Sequence, residues 1–141
     1  MTFTQSISIC LQKYATFSGR ASRSEFWWFF LFCTIWNVLS TIGANAIFGE
    51  DTPAAVITDL FISLVLFLPF YAVSARRLHD IGRSGWAMLW YLPVVVPVAI
   101  VESGYSVNEL WGLTMLLSAP LWVWLASKSQ PEENRYGAAL S

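Results

Sequence analysis

Between residues 75 and 86 the sequence reads ARRLHDIGRSGW, which gathers Arg76, Arg77, His79, Asp80 and Arg83 into one short stretch. Only 12% of the chain is charged and it holds 1 histidine, so this concentration asks for a chemical reading. Arginine forks suit the recognition of phosphate or carboxylate oxygens. A histidine oriented by a neighbouring aspartate can serve as a general base. A second group, Arg20, Arg23 and Glu25, lies in FSGRASRSEFWW at 17–28 and could complete the same face. Metal chemistry is not expected. Metal-dependent phosphohydrolases that use a His-Asp pair need further His and Asp ligands, and Cys10 and Cys33 lack the spacing of a thiolate site or disulfide framework. The buried-apolar reading of Cys33 is the natural one. No cofactor motif, phosphate loop or nucleophile elbow occurs.

Each group also has a structural reading. Ser22-Arg23-Ser24-Glu25 matches a capping box before an apolar run, with Ser22 accepting from the Glu25 N–H and the Glu25 carboxylate reaching back. Gly19 permits the turn that precedes it. Arg76, Arg77 and His79 suit a helix C-terminus, where cations meet the negative end of the dipole. Gly82 fits the left-handed position after that helix, and Ser84 can cap the next one. Asp80 faces the wrong pole and therefore needs a partner. Arg76, one turn back, is the nearest candidate, with Arg83, Arg20 and Arg23 as the others. The plainest alternative is an anchor loop whose arginines snorkel to lipid phosphates.

The elements that must position these residues are apolar. The 141 residues are 56% hydrophobic with 8 tryptophans and a mean hydropathy of +0.55. Soluble domains carry roughly 25% charged residues, and a net charge of −1 leaves no basic footprint for nucleic acid. The expected fold is an all-α integral membrane protein, a single membrane domain over 1–141. Apolar runs at 26–48, 54–75, 86–101 and 110–127 are the transmembrane helices. The third is short, about 24 Å as a helix, and Pro93 and Pro97 predict a kink or a re-entrant path. Phe3, Ile7, Cys10, Leu11, Tyr14 and Phe17 fall at helical spacing, which predicts an amphipathic interfacial helix over 1–18. Residues 128–141 read as a polar, loosely ordered tail on the cytoplasmic side. ANA at 44–46 imitates a signal-peptide cleavage site, but the preceding region is too long and the first run is read as retained.

Charge sets the expected orientation. With four crossings, Lys13, Arg20, Arg23, Arg76, Arg77, Arg83, Lys128 and Arg135 all lie on one side, which the positive-inside rule makes cytoplasmic, together with both termini. The other connections, GEDTP and ESGYSVNE, contain acids and no Lys or Arg. Three crossings would export Lys128 and Arg135. Trp27, Trp28, Trp86, Trp122 and Trp124 then fall at the inner interface and Trp111 at the outer one, while Trp36 reads as a mid-span packing residue. Inside the spans Asn37, Asn45 and Asp59 are the notable polar groups, with an Asn45–Asp59 hydrogen bond expected between antiparallel helices.

Three segments together, YATFSGRASRSEFWWFFLF, ARRLHDIGRSGW and the tail PEENRYG, resemble the bacterial inner-membrane proteins grouped as domain of unknown function 805. The likeness runs from about 11 to 137. It implies a multi-pass protein of the bacterial inner membrane with four spans, and no settled activity. The positions it carries over are Gly19, Arg20, Ser22, Arg23, Glu25, Arg76, Arg77, His79, Asp80, Gly82, Arg83, Gly85, Asn134 and Gly137, with Arg135 inside the tail motif. The tail departs from the family's pattern at Glu132-Glu133 and at Ala138.

Three functions are open at this stage. The leading one is a non-enzymatic membrane protein whose cytoplasmic Arg/Asp/His cluster locks the loops and engages an anionic phospholipid head group or another membrane protein. The second is an interfacial enzyme on a phosphate-bearing lipid, with His79 as base and Asp80 orienting it. The third is a transporter or channel component using Asp59 and the kinked third span.

Overall fold

The computed structural model describes residues 1–50, 52–91 and 107–139. Helices α1 (Phe3–Gln12), α2 (Arg23–Phe48) and α3 (Pro53–Asp80) are followed by a 3-10 segment (Gly85–Tyr91) and by helix α4 (Val107–Ala126). Among the described residues there is no strand, only an isolated bridge between Asn134 and Gly137.

α1 starts at a capping box in which Thr2 accepts from the Gln5 N–H and Gln5 returns the bond. It ends at Gln12, short of the expected 18, and Tyr14 and Phe17 leave the helical register. Beyond it the Thr16 N–H bonds Lys13 O at 3.0 Å in a tight turn, and the Lys13 and Thr16 carbonyls also accept from an arginine of α3.

α2 and α3 are each long and apolar enough to cross a membrane. At 26 and 28 residues they extend about 39 and 42 Å. Both run past the apolar segments at the charged end, so Arg77, His79 and Asp80 form the last turn of α3 and Arg76 lies just before it, at the helix C-terminus expected for them. That helix closes in a Schellman turn. The Gly82 N–H bonds His79 O and the Arg83 N–H bonds Leu78 O, with Gly82 at φ +75°.

The packed core lies at this one end. Phe26 and Phe29 of α2, Val73 and Leu78 of α3 and Leu121 and Leu125 of α4 are fully buried, joined by Cys10 and Ala21. Phe30 and Phe70 lie 6.2 Å apart and Trp122 meets Phe30 at 5.6 Å, which ties α2, α3 and α4 together through rings. Towards the other end Ala44 and Ala55 are buried in the seam, while among the described residues Leu39, Ile42, Ile47, Ile57, Leu60, Phe61 and Leu64 are exposed. A contiguous apolar surface of this kind belongs against hydrocarbon rather than water.

The register of the α2–α3 hairpin corrects one expectation. Ser40 donates to Asp59 at 3.2 Å and Asn37 to Ser63 at 3.1 Å. Asn45 sits more than a turn beyond the level of Asp59, so the expected Asn45–Asp59 bond is not formed. Trp36, expected as a packing residue, is 48% exposed with Phe32 as its ring neighbour. It lies about 100° round the helix from the seam that Asn37, Ser40 and Ala44 follow. Of the expected third span only Gly85–Tyr91 is described, as a 3-10 segment; residues 92–101 and the side chain of Trp111 lie outside the described residues.

Pro69 stands inside α3 and has no N–H for the Val65 carbonyl four residues earlier. The Tyr14 hydroxyl donates to that carbonyl. A residue just beyond α1 thus satisfies a polar group that the proline leaves open. Tyr14→Phe should destabilise the protein by about 1–3 kcal/mol, measured by thermal unfolding in detergent. In a Pro69→Ala background, where the helix can close its own bond, the same change should cost much less. Equal costs in the two backgrounds would refute this pairing.

Candidate functional site

Arg20, Glu25, Arg76, Arg77 and Asp80 of the two motifs form a buried cluster centred on Asp80, which has no exposed surface. Arg20 reaches one Asp80 oxygen through Nε at 2.9 Å and Nη2 at 2.8 Å. Arg77, three residues earlier on α3, pairs with the other oxygen through Nη1. Beside this triad Arg76 Nη2 bonds Glu25 Oε1 at 2.9 Å. Arg76 and Arg77 are 1% and 0% exposed and Arg20 is 7% exposed.

Three arginines against two carboxylates leave an excess positive charge, and backbone carbonyls meet it. Arg76 Nη1 donates to Thr16 O at 2.7 Å and Lys13 O at 3.3 Å, just beyond the end of α1. Arg77 Nε donates to Leu125 O at 3.0 Å and its Nη2 to Ser127 O, at the end of α4. Arg20 reaches Asp80 O at the end of α3, then Gln130 O, Glu132 O and Gly137 O of the tail. Each guanidinium therefore meets a different chain end, where carbonyls lack helical partners and the dipole is negative. Burial pushes the Arg77 pKa down from its ordinary value, and Asp80 acts against that shift.

Several expectations about partners change. Asp80 pairs with Arg77 and Arg20, not with Arg76. Arg76 and Arg77 lie about 100° apart round α3, so they face different neighbours. Ser22 does accept from the Glu25 N–H at 3.1 Å, but the Glu25 carboxylate turns to Arg76 and the reciprocal half of the capping box is replaced. Asp80 does not orient His79. His79 Nδ1 bonds Gly19 O at 3.2 Å, and since a carbonyl only accepts, Nδ1 carries the proton. Gly19 occupies φ +86° there. The His79 ring stacks on Tyr136 at 3.8 Å, within 3° of parallel.

The tail is docked, against the expectation of loose order. Asn134 donates to His79 O at 3.0 Å and to Gln130 Oε1 at 2.9 Å, and the Gln130 N–H bonds Asp80 O at 3.2 Å. A Cβ added at Gly82 would come within 2.7 Å of the Gln130 amide, the movable end of an exposed side chain, so the glycine is required by the turn at φ +75° and the tail packs directly over it. Glu132 and Glu133 do not prevent docking, because Arg20 uses the Glu132 carbonyl rather than its carboxylate. Arg23, Arg83 and Arg135 are exposed and form no ion pair among the described residues. Arg83 lies over Trp124 and Arg135 over Tyr136. Asn37, Asn45 and Asp59 stand apart, further along the hairpin.

Sequence reasoning missed Cys10, Gln130, Tyr136 and the receiving carbonyls. The Cys10 thiol donates to Glu25 at 3.9 Å, and its pKa is raised to about 12 by burial first and by Glu25 second, which keeps it protonated. The helical spacing of Cys10 on α1 was the available signal; a carbonyl has none, since every residue type carries one.

The pattern of the family described as "Protein of unknown function (DUF805)" matches residues 14–138, a span that takes in the charged cluster and the docked tail. The chain belongs to this family. It is similar to Inner membrane protein YhaI of Escherichia coli (strain K12), 40% identical over 107 residues covering 72% of this chain and 87% of that protein. It is also similar to Inner membrane protein YhaH of the same organism, 36% identical over 87 residues covering 60% and 71%. No solved structure matches the chain. Inner-membrane relatives and two long helices with bare apolar flanks agree: this is a membrane protein.

Removing the central charge leaves two buried guanidinium groups without it. Asp80→Asn should therefore destabilise the folded protein by about 3–5 kcal/mol, read from thermal or denaturant unfolding in detergent; a change below about 1 kcal/mol would contradict the central role of this carboxylate.

Acidification tests the His79 seat. Burial lowers the His79 pKa from its ordinary value, aided by Arg135 and opposed by the bond to Gly19 O. The folded state thus holds the neutral ring. As pH falls below about 6.5 the unfolded chain takes up a proton that the folded chain resists, so stability declines until His79 itself protonates. His79→Phe keeps a ring on Tyr136 and should flatten that part of the profile, measured as unfolding midpoint between about pH 7.5 and about pH 5.5.

Proposed function

We propose that this chain is a small non-enzymatic protein of the bacterial inner membrane whose buried Arg/Asp/Glu cluster clamps the cytoplasmic ends of its helices and its tail. In this reading the chain crosses the bilayer four times with both termini in the cytoplasm, and α1 lies along the inner leaflet. The clamp yields a rigid cytoplasmic face, and the exposed cations Arg23, Arg83 and Arg135 remain to meet anionic lipid or another membrane protein. The convergence of α1, α3 and α4 by their C-terminal ends on one cluster supports that orientation, because it gathers the basic residues on one side.

The single observation that carries the proposal is the state of Arg20, Arg76 and Arg77. These forks have the chemistry for an anionic ligand, yet they are buried and engaged by internal carboxylates and carbonyls. A ligand-binding arginine keeps an open edge; these three act inward. Lipid recognition assigned to Arg76 and Arg77 on sequence grounds therefore moves to the exposed set.

The tail provides the test. Arg20→Gln removes the charge-assisted bonds to Asp80, Gln130 O and Glu132 O, each worth about 1.5–3 kcal/mol. Trypsin added to inside-out membrane vesicles should then cut the tail at Lys128 or Arg135 more than about tenfold faster than in the wild type, with the membrane-embedded part intact. Equal protection in both proteins would overturn the clamp.

A further inference from the structure

Arg83 differs from the clamped arginines in its surroundings. It is exposed, its guanidinium carbon lies 4.0 Å above the Trp124 ring, and its side chain has no hydrogen bond or ion pair among the described residues. Stacking on an indole covers one face of the guanidinium and leaves its N–H edge open. Of the acids at this end, Asp80 is held by Arg20 and Arg77, Glu25 by Arg76, and the exposed Glu132 and Glu133 of the tail form no ion pair with Arg83 among the described residues.

Both partners are anchored. The Arg83 N–H is tied to Leu78 O at 2.9 Å in the Schellman turn that closes α3, and Trp124 belongs to the last turn of α4. A fork held between two rigid helix ends loses little freedom when it meets an anion. Its depth is marked by the 3-10 segment that follows, where Trp86 is 78% and Leu89 is 54% exposed. An outward tryptophan and leucine beside an outward arginine fit the level at which acyl chains give way to head groups. Trp86 and Leu89 face apolar lipid there, and the open edge of Arg83 faces the phosphate layer.

We propose that Arg83, seated over the Trp124 ring, binds the phosphate of an anionic phospholipid of the inner leaflet. The site deepens the function proposed above and rests on its placing of this end at the cytoplasmic surface. The cation supplies the preference for a net-negative lipid, the planar edge supplies paired N–H donors, and the indole fixes the plane.

The test uses the full chain in detergent micelles doped with equal amounts of phosphatidylglycerol and phosphatidylcholine, read by native mass spectrometry. The wild type should retain phosphatidylglycerol in preference to phosphatidylcholine. Arg83→Gln should lower phosphatidylglycerol occupancy roughly fivefold, the scale of one cation at a membrane surface, and leave phosphatidylcholine unchanged. Arg83→Lys, which keeps the charge, should recover part of the preference. Unchanged phosphatidylglycerol occupancy in Arg83→Gln would overturn the site, as would an equal loss of both lipids. So would an inorganic phosphate adduct in lipid-free micelles that disappears in Arg83→Gln, since it would make free phosphate the ligand. Tail protection in Arg83→Gln should stay at the wild-type level, so a failure of this site is distinguishable from a failure of the Arg20 clamp.

Discussion

Asp80 accepts from two arginines that come from different parts of the chain, and both the carboxylate and the guanidinium groups are out of water. Taking such ions from water costs several kcal/mol apiece unless every partner is in place. That requirement disciplines the surrounding structure. Arg20 must approach from the turn at Gly19, Arg77 from the last turn of α3, and the excess positive charge must find carbonyls. The carbonyls it finds lie near the C-terminal ends of α1, α3 and α4, where each helix has acceptors without internal donors, and in the tail at Gln130, Glu132 and Gly137. Charge, helix end and tail therefore supply partners to one another, with only the buried Arg76 Nε left without one among the described residues.

Membrane setting explains why polar groups hold this place. Between helices in lipid the hydrophobic effect gives little preference for one packing over another, and hydrogen bonds and close contacts decide. The apolar outer halves of α2 and α3 present exposed side chains on their outward faces, which set no register of their own. The Ser40–Asp59 and Asn37–Ser63 bonds set their register, and the Phe30–Phe70–Trp122 rings bring α4 against both. Tyr14 on Val65 O performs the same service for the proline in α3. Interactions with direction fix the arrangement, while the apolar surface fixes only the medium.

Helical phase governed what could be read at the cluster. Arg76 and Arg77 are adjacent in sequence and alike in chemistry, and Asp80 is one turn from either. Only the positions of the neighbouring helices send Arg76 towards Glu25 and α1, and Arg77 towards Asp80 and α4. His79 beside Asp80 looked like a dyad for the same reason, although consecutive helical residues do not face each other. The tail gave a motif without a destination, because its docking runs through the Gln130, Glu132 and Gly137 carbonyls and passes over Gly82.

The all-helical membrane character, the segments of α2 and α3, the Ser22 cap and the left-handed Gly82 after α3 were determined by sequence alone. These depend on local composition, periodicity and backbone sterics, which act over a few residues. Which arginine meets which acid, where α1 stops, how Asn37, Ser40 and Asp59 align and where the tail lies were decided by the tertiary structure. The arginine and tail contacts depend on carbonyls supplied by residues 48 to 112 positions away in the chain, the hairpin alignment depends on residues 19 to 26 positions away, and a carbonyl has no letter in a sequence.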